Sequence, residues 1–203
     1  MAYIDGSLRT YLEDLAAKKP APGGGSAAAV AASIGASLMS MVANYTIGNA
    51  KYRDHESDAA DIMVKVQRFN ARLHDLIDED VAAYERLSRH MKELKGHPAK
   101  LEQAYKDALR PPFEVCKIAC ECLRLCRTLV ACGNVNLVTD TAIAAVMLEG
   151  AFFSAKYNVY ANLKYIKDIE FIGEVHGFLA PLEDEMPKLK ESIVERCEDS
   201  IST

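Results

Sequence analysis

The chain has 203 residues, 24 Lys plus Arg against 29 Asp plus Glu, and no tryptophan. That length suits one domain and lets roughly 70% of the unfolded surface be buried, so no disulfide or metal staple is required. Half of the residues are apolar and 26% are charged, which excludes a disordered chain; a net charge of −5 without a dense basic run excludes a nucleic-acid partner held through phosphates.

Period counting finds helices nearly everywhere and no strand. The N-terminus, MAYIDGSLRTYLEDL, lacks a basic region followed by an apolar core, so no export signal is read there. A first helix is expected from about Ser7 to Ala17. The break Lys19-Pro20-Ala21-Pro22-Gly23-Gly24-Gly25-Ser26 follows, then an Ala-rich helix to about Ile47. Gly23, Gly24 and Gly25 let backbone approach a ligand closely, and the next helix would present unpaired N–H groups and a positive dipole end. Ser26 can cap that helix or add a hydroxyl. The run therefore reads either as an anion site or as a tight interhelix turn. Ala27 to Ala43 carries no charge, but it is short for a membrane span and holds Ser33, Ser37, Ser40 and Gly35. It reads as the central helix of a soluble protein, with no membrane partner.

A long third helix is expected from about Ser57 to Glu93, ended by Gly96 and Pro98. Its apolar stripe runs Ile62, Val66, Phe69, Leu73, Leu76/Ile77, then Asp80, then Tyr84 and Leu87. Asp80 lies eighteen residues after Ile62, which at about 100° per residue returns it to the centre of the stripe. A carboxylate there must be paired, hydrogen-bonded or facing a polar pocket, and burial would raise its pKa towards the range useful in proton transfer. A buried aspartate satisfied by backbone or by an arginine is the alternative. Asp78 and Glu79 read as surface residues.

A fourth helix, about Ala99 to Ala131, should be kinked or split at Pro111-Pro112. It carries Cys116, Cys120, Cys122 and Cys126, with Cys132 and Cys197 elsewhere. Spacings of i, i+4 differ from the C-x-x-C pairs of zinc ribbons, so these thiols read as small buried hydrophobes of a reducing, cytoplasmic compartment rather than a metal or redox site. The loop Gly133-Asn134-Val135-Asn136 leads to a fifth helix, Thr139 to about Lys167. Asn158 and Asn162 sit on its apolar stripe, where they would hydrogen-bond a heterocycle or a neighbouring helix. Asp140 near its start reads as a cap or dipole partner. A last helix, Asp168 to about Cys197, is expected to be interrupted near Pro181 and Pro187. The whole reads as an all-α, single-domain bundle of about six long antiparallel helices over residues 1–203, kinked at Pro111-Pro112 and near Pro181.

Several of these segments together resemble one family. Pro20-Ala-Pro-Gly-Gly-Gly-Ser26 before an Ala-rich helix, Thr46-Ile-Gly48 with Lys51-Tyr52, Leu76-Ile-Asp-Glu-Asp80 with Ala83-Tyr84, Gly133-Asn134 with Thr139-Asp140, and Asn158-Val159 with Asn162-Leu163 resemble the cyclodeaminase domain of formiminotransferase-cyclodeaminase and its stand-alone relatives. The resemblance spans about Leu8 to Cys197. It implies an all-helical homodimer acting on one-carbon derivatives of tetrahydrofolate, with no cofactor beyond that substrate and no metal. Two activities are implied: cyclohydrolysis of 5,10-methenyl-tetrahydrofolate to the 10-formyl compound, and cyclodeamination of 5-formimino-tetrahydrofolate to the methenyl compound and ammonia. It makes Asp80 the proton acceptor and adds Asp140 as a second catalytic carboxylate. Gly23, Gly24, Gly25, Ser26, Lys51, Tyr52, Asn134, Asn158 and Asn162 are implied to bind substrate. The family commonly has Ser-Asp where this chain has Thr139-Asp140, and the segment Arg89 to Pro98 departs from the usual Leu-Pro-Lys pattern. The absence of a fused transferase weighs towards the cyclohydrolase. The rival from another class is a folate-binding or helical assembly protein without catalysis.

Overall fold

The computed structural model describes residues 2–202. Six α-helices make up almost all of it: α1 (Leu8–Ala16), α2 (Gly24–Thr46), α3 (Glu56–Glu93), α4 (Pro98–Cys132), α5 (Val138–Leu163) and α6 (Ile169–Ile201). Two 3₁₀ turns, Ala50–His55 and Val135–Leu137, precede α3 and α5. No strand occurs among the described residues, and the architecture is the all-α bundle that the periodicity predicts.

Local chemistry sets the helix ends. Ser7 accepts a hydrogen bond from the Thr10 N–H at 3.0 Å and so caps α1; Asp168 caps α6 through the Phe171 N–H at 3.1 Å. Gly96 takes φ +92°, a conformation costly for any side chain, between the end of α3 and Pro98 at the first turn of α4.

From α2 onwards, successive helices run antiparallel. Ser33 bonds Asn70 across α2 and α3, Arg72 pairs with Glu114 across α3 and α4, and the Cys116 thiol reaches the Phe152 carbonyl across α4 and α5. Tyr160 donates to Glu183 across α5 and α6 at 2.6 Å. α2 lies against α3, α4 and α5, and its small residues permit the close approach. A Cβ on Gly35 would sit 2.9 Å from the Leu148 side chain. α2 and the 135–163 stretch are long and apolar enough to cross a membrane on length and composition alone, yet more than half of the α2 window is buried within the bundle.

One expectation needs correction: α6 is not interrupted at Pro181 and Pro187 but runs through both as one helix. α4 likewise carries Pro111-Pro112 inside one helix rather than splitting there. Each proline removes one N–H and crowds one carbonyl, at about 3 kcal/mol in an isolated helix. In α6 that penalty is outweighed by the buried row Val175, Leu179, Leu182, Met186, Leu189 and Ile193, since each fully buried aliphatic side chain contributes roughly 1.5–3 kcal/mol. Asp78 also differs from a plain surface residue. Its carboxylate accepts from the Tyr3 and Ile4 N–H groups and ties the N-terminal segment to α3.

All six cysteines are free and buried. Burial pushes the Cys116 and Cys122 thiols up to about 12 and Cys120 up to about 11. Among the described residues no group of three or more His, Cys, Asp or Glu is placed to hold a metal.

Candidate active site

The N-terminus of α2 meets the middle of α3 and the C-terminal part of α5 around a cavity of about 220 Å³. Gly23, Gly24 and Gly25 form one wall with Pro20 and Ala21; Asp80 and Tyr84 come from α3, Ala108 from α4, and Asn158 and Asn162 from α5. Asp80 is the sole charged residue in this lining.

The glycines have a steric role at one position above all. A Cβ built on Gly25 would lie 2.1 Å from Asp80 Oδ1 and 2.6 Å from its Cγ, well inside contact distance. The carboxylate therefore occupies the space a side chain would fill, and Gly25 is what lets Asp80 reach the end of α2. Gly24 gives similar, looser clearance to Asn158, whose Nδ2 would be 3.2 Å from an added Cβ.

Asp80 Oδ2 accepts the Ser26 N–H at 2.8 Å, and Asp80 forms no ion pair among the described residues. Desolvation favours the neutral acid; the Ser26 N–H favours the anion. Burial wins and pushes the carboxyl up to about 6. A carboxyl near 6 is ionised at neutral pH yet holds a proton at modest cost, as a general acid–base requires.

Ser26 takes part through its backbone. Its side chain is fully buried against Tyr11, with the two oxygens 3.2 Å apart, and Gly23 rather than Ser26 stands at the N-cap of α2. Asn158 and Asn162 each donate one amide N–H to the carbonyl four residues earlier, at 3.0 and 2.9 Å. Their amide oxygens carry no hydrogen bond among the described residues, which leaves acceptors at the cavity wall.

The remaining residues implied by the resemblance lie at the opposite end of α2. The 23 residues of α2 place that end roughly 33 Å from the cavity at 1.5 Å per residue. There Asn134 is buried: its N–H bonds Thr46 Oγ1 at 2.9 Å, its Nδ2 the Tyr45 carbonyl at 3.1 Å, and its Oδ1 accepts from the Tyr52 hydroxyl at 3.2 Å. Tyr52 in turn accepts from the Val135 N–H. Lys51 is exposed beside the Tyr52 ring, 5.6 Å from its centroid. Asp140 occupies the first turn of α5, half-buried and without a hydrogen bond or ion pair among the described residues. One chain thus gathers Gly23, Gly24, Gly25, the Ser26 backbone, Asp80, Asn158 and Asn162 at one end of α2, and Lys51, Tyr52, Asn134 and Asp140 at the other.

Tyr84, Pro20, Ala21 and Ala108 were not foreseen as lining residues. Tyr84 had a legible signal, since it follows Asp80 by one helical turn on the same face. Ala108 had none, because nothing local marks which alanine of α4 lies opposite Asp80.

Known proteins resemble this chain over most of its length. The family model for formiminotransferase-cyclodeaminase matches residues 7–179. The methenyltetrahydrofolate cyclohydrolase of Methylorubrum extorquens is 32% identical over 97% of this chain and 98% of its own length. Mouse formimidoyltransferase-cyclodeaminase is 30% identical over 88% of this chain, which spans 34% of that longer protein. Among solved structures, formiminotetrahydrofolate cyclodeaminase from Thermotoga maritima superposes with a TM-score of 0.84 at 30% identity, covering 98% of this chain and 96% of that one. The chain belongs to the formiminotransferase-cyclodeaminase family.

Proposed function

We propose that this chain is a folate one-carbon enzyme, a methenyltetrahydrofolate cyclohydrolase that opens 5,10-methenyl-tetrahydrofolate with water to give 10-formyl-tetrahydrofolate. The observation that carries the reading is Asp80: a carboxyl raised to about 6, alone in charge within a cavity and fixed through one oxygen by the Ser26 N–H. The near end-to-end match to the Methylorubrum cyclohydrolase supports the choice of activity.

The chemistry follows from that placement. Ionised Asp80 takes a proton from water as its oxygen bonds to the methenyl carbon, giving a tetrahedral carbon between N5 and N10. The carboxyl then returns the proton to N5 as the carbon–N5 bond breaks. The hydroxyl proton leaves to solvent as the formyl carbonyl forms on N10. The first two steps use one group near neutral pKa, which suits a single carboxylate acting first as base and then as acid. Asn158 and Asn162 offer amide oxygens to donors of the pterin, and the N-terminal end of α2 offers N–H groups to a carbonyl or carboxylate.

A second reading, 5-formimino-tetrahydrofolate cyclodeaminase, is favoured by the Thermotoga structure, a chain of matching length bearing that name. That likeness removes the weight given to the absence of a fused transferase. In this direction Asp80 takes the N10 proton as N10 closes on the carbon of the protonated formimino group, then gives that proton to the amino group, which leaves as ammonia as the methenyl bond forms. A reducing cytoplasmic compartment belongs to the same proposal, supported by six free buried thiols, as does the homodimer that the family resemblance implies.

The test follows the absorbance of the methenyl compound with purified protein. Faster loss from added 5,10-methenyl-tetrahydrofolate than in buffer is the expected result. Formation from the formimino compound instead selects the deaminase, and no change in either direction leaves a folate-binding protein.

A further inference from the structure

The Asp80 cavity has two levels. At the inner one, Asp80 of α3 fills the space a Gly25 side chain would take, and Asn158 of α5 stands against Gly24. Both helices run antiparallel to α2: Ser33 meets Asn70 while Gly25 meets Asp80, and Gly35 meets Leu148 while Gly24 meets Asn158. α3 and α5 are therefore parallel to each other, and one further turn along each carries the cavity wall about 6 Å past the start of α2. Tyr84 and Asn162 follow Asp80 and Asn158 by one such turn, and Pro20 and Ala21, just ahead of α2, complete the lining at this outer level.

Tyr84 is the sole aromatic residue in the lining. It is 48% exposed and makes no hydrogen bond or ring contact among the described residues. No pairing within the fold uses the ring, which leaves its face for a planar ligand. On α5, Asn158 and Asn162 each commit an amide N–H to a carbonyl of their own helix and keep the oxygen unbonded among the described residues. The cavity thus offers an aromatic face on one wall and hydrogen-bond acceptors on another.

We propose that Tyr84 is the platform on which the pterin of the folate substrate stacks, with the pterin's edge donors on Asn158 and Asn162 and its N5 side turned inward to Asp80. Donor chemistry decides between the two planar groups of the substrate. The pterin carries an amino group and ring N–H groups along its edge, whereas the aminobenzoyl ring has no donor of its own once N10 is part of the methenyl bridge. Unbonded acceptors beside an aromatic face suit the pterin. N5 belongs to the pterin itself, so a pterin seated one turn, about 6 Å, outside Asp80 delivers the bridge carbon to the carboxyl. The assignment rests on the Asp80 cavity taking a folate. It serves both activities alike, because the methenyl and 5-formimino substrates share the pterin. Stacking holds ground state and transition state equally, so the contribution of Tyr84 falls on KM rather than on kcat.

Titration calorimetry on the whole chain tests the platform with two fragments of the substrate, 6-methyl-tetrahydropterin and p-aminobenzoyl-glutamate, and its readout is independent of turnover. Wild type should bind the pterin fragment. Tyr84→Ala should weaken that binding roughly 5- to 150-fold, the loss when alanine replaces an aromatic platform under a base. Its affinity for p-aminobenzoyl-glutamate should not change. Tyr84→Phe should restore the pterin affinity, because the ring face and not the hydroxyl makes the contact. In the absorbance assay, the loss in Tyr84→Ala should appear in KM. Unchanged pterin affinity in a Tyr84→Ala chain with wild-type circular dichroism overturns the platform. So does a loss confined to p-aminobenzoyl-glutamate, a Tyr84→Phe variant as weak as Tyr84→Ala, or a wild-type chain that takes up no pterin fragment. Failure of the reaction centre reads out separately: a fully active Asp80→Asn variant removes Asp80 as proton acceptor and leaves the calorimetric result standing.

Discussion

Asp80 is held where the fold would be more stable with a neutral side chain. Its pKa rises from 3.8 to about 6 on folding, so the folded state binds its proton more tightly than the unfolded chain does. The stability this provides is fully present below about pH 4 and is lost as pH rises through 6, a difference of up to about 3 kcal/mol. Asp80→Asn should therefore raise Tm at pH 7 by about 2–10 °C, the shift for roughly 1–3 kcal/mol in a chain of this size, while abolishing turnover. Differential scanning calorimetry at pH 7 and pH 4 checks it, because the gain should vanish at the lower pH. Gly25→Ala probes the same contact from the other side. A methyl group 2.1 Å from Asp80 Oδ1 must displace the carboxylate, and a misplacement of about 1 Å should cost about 100-fold in kcat. Helix propensity alone would make that substitution favourable by up to ~1 kcal/mol, so lost activity with retained stability identifies displacement as the cause.

The helices show what periodicity can and cannot convey. Asp80 was legible because a carboxylate at the centre of an apolar stripe violates the 3.6-residue pattern, and Asn158 and Asn162 violate it in the same way on α5. Pro181 and Pro187 misled because local chemistry reads as a break while packing on both sides keeps α6 continuous. Pro181 is exposed within that helix, so Pro181→Ala should stabilise the protein by roughly 1–3 kcal/mol and leave activity unchanged. An unaltered Tm would place a break at 181 after all. On α4, the thiols at 116, 120, 122 and 126 lie in the core with their pKa values pushed up by desolvation. A disulfide-exchange reagent should label none of the six within minutes in the native protein and all six in denaturant.

At the scale of the whole molecule, the family motifs single out candidate segments but not how one chain distributes them. Lys51, Tyr52, Asn134 and Asp140 are close in sequence terms to no other site residue, and α2 separates them from Asp80 by its full length. Only the tertiary arrangement reveals that division, since a motif carries no information on which end of a helix its neighbours pack against. The net charge of −5 gives no general attraction for an anionic folate, so the proposed recognition falls to local groups such as the α2 N-terminus and the amides of α5. On the proposed reading, chemistry within the cavity depends on one carboxylate, Asp80. The pH dependence of 5,10-methenyl-tetrahydrofolate loss, measured for wild type and for Asp80→Asn, tests that dependence most directly. Wild-type kcat/KM should fall tenfold per pH unit on the acid side of a midpoint of about 6, as protonation removes the base. Asp80→Asn should show no such limb and a rate at least about 100-fold lower at pH 7. A variant that matches wild type in rate and profile would contradict the account.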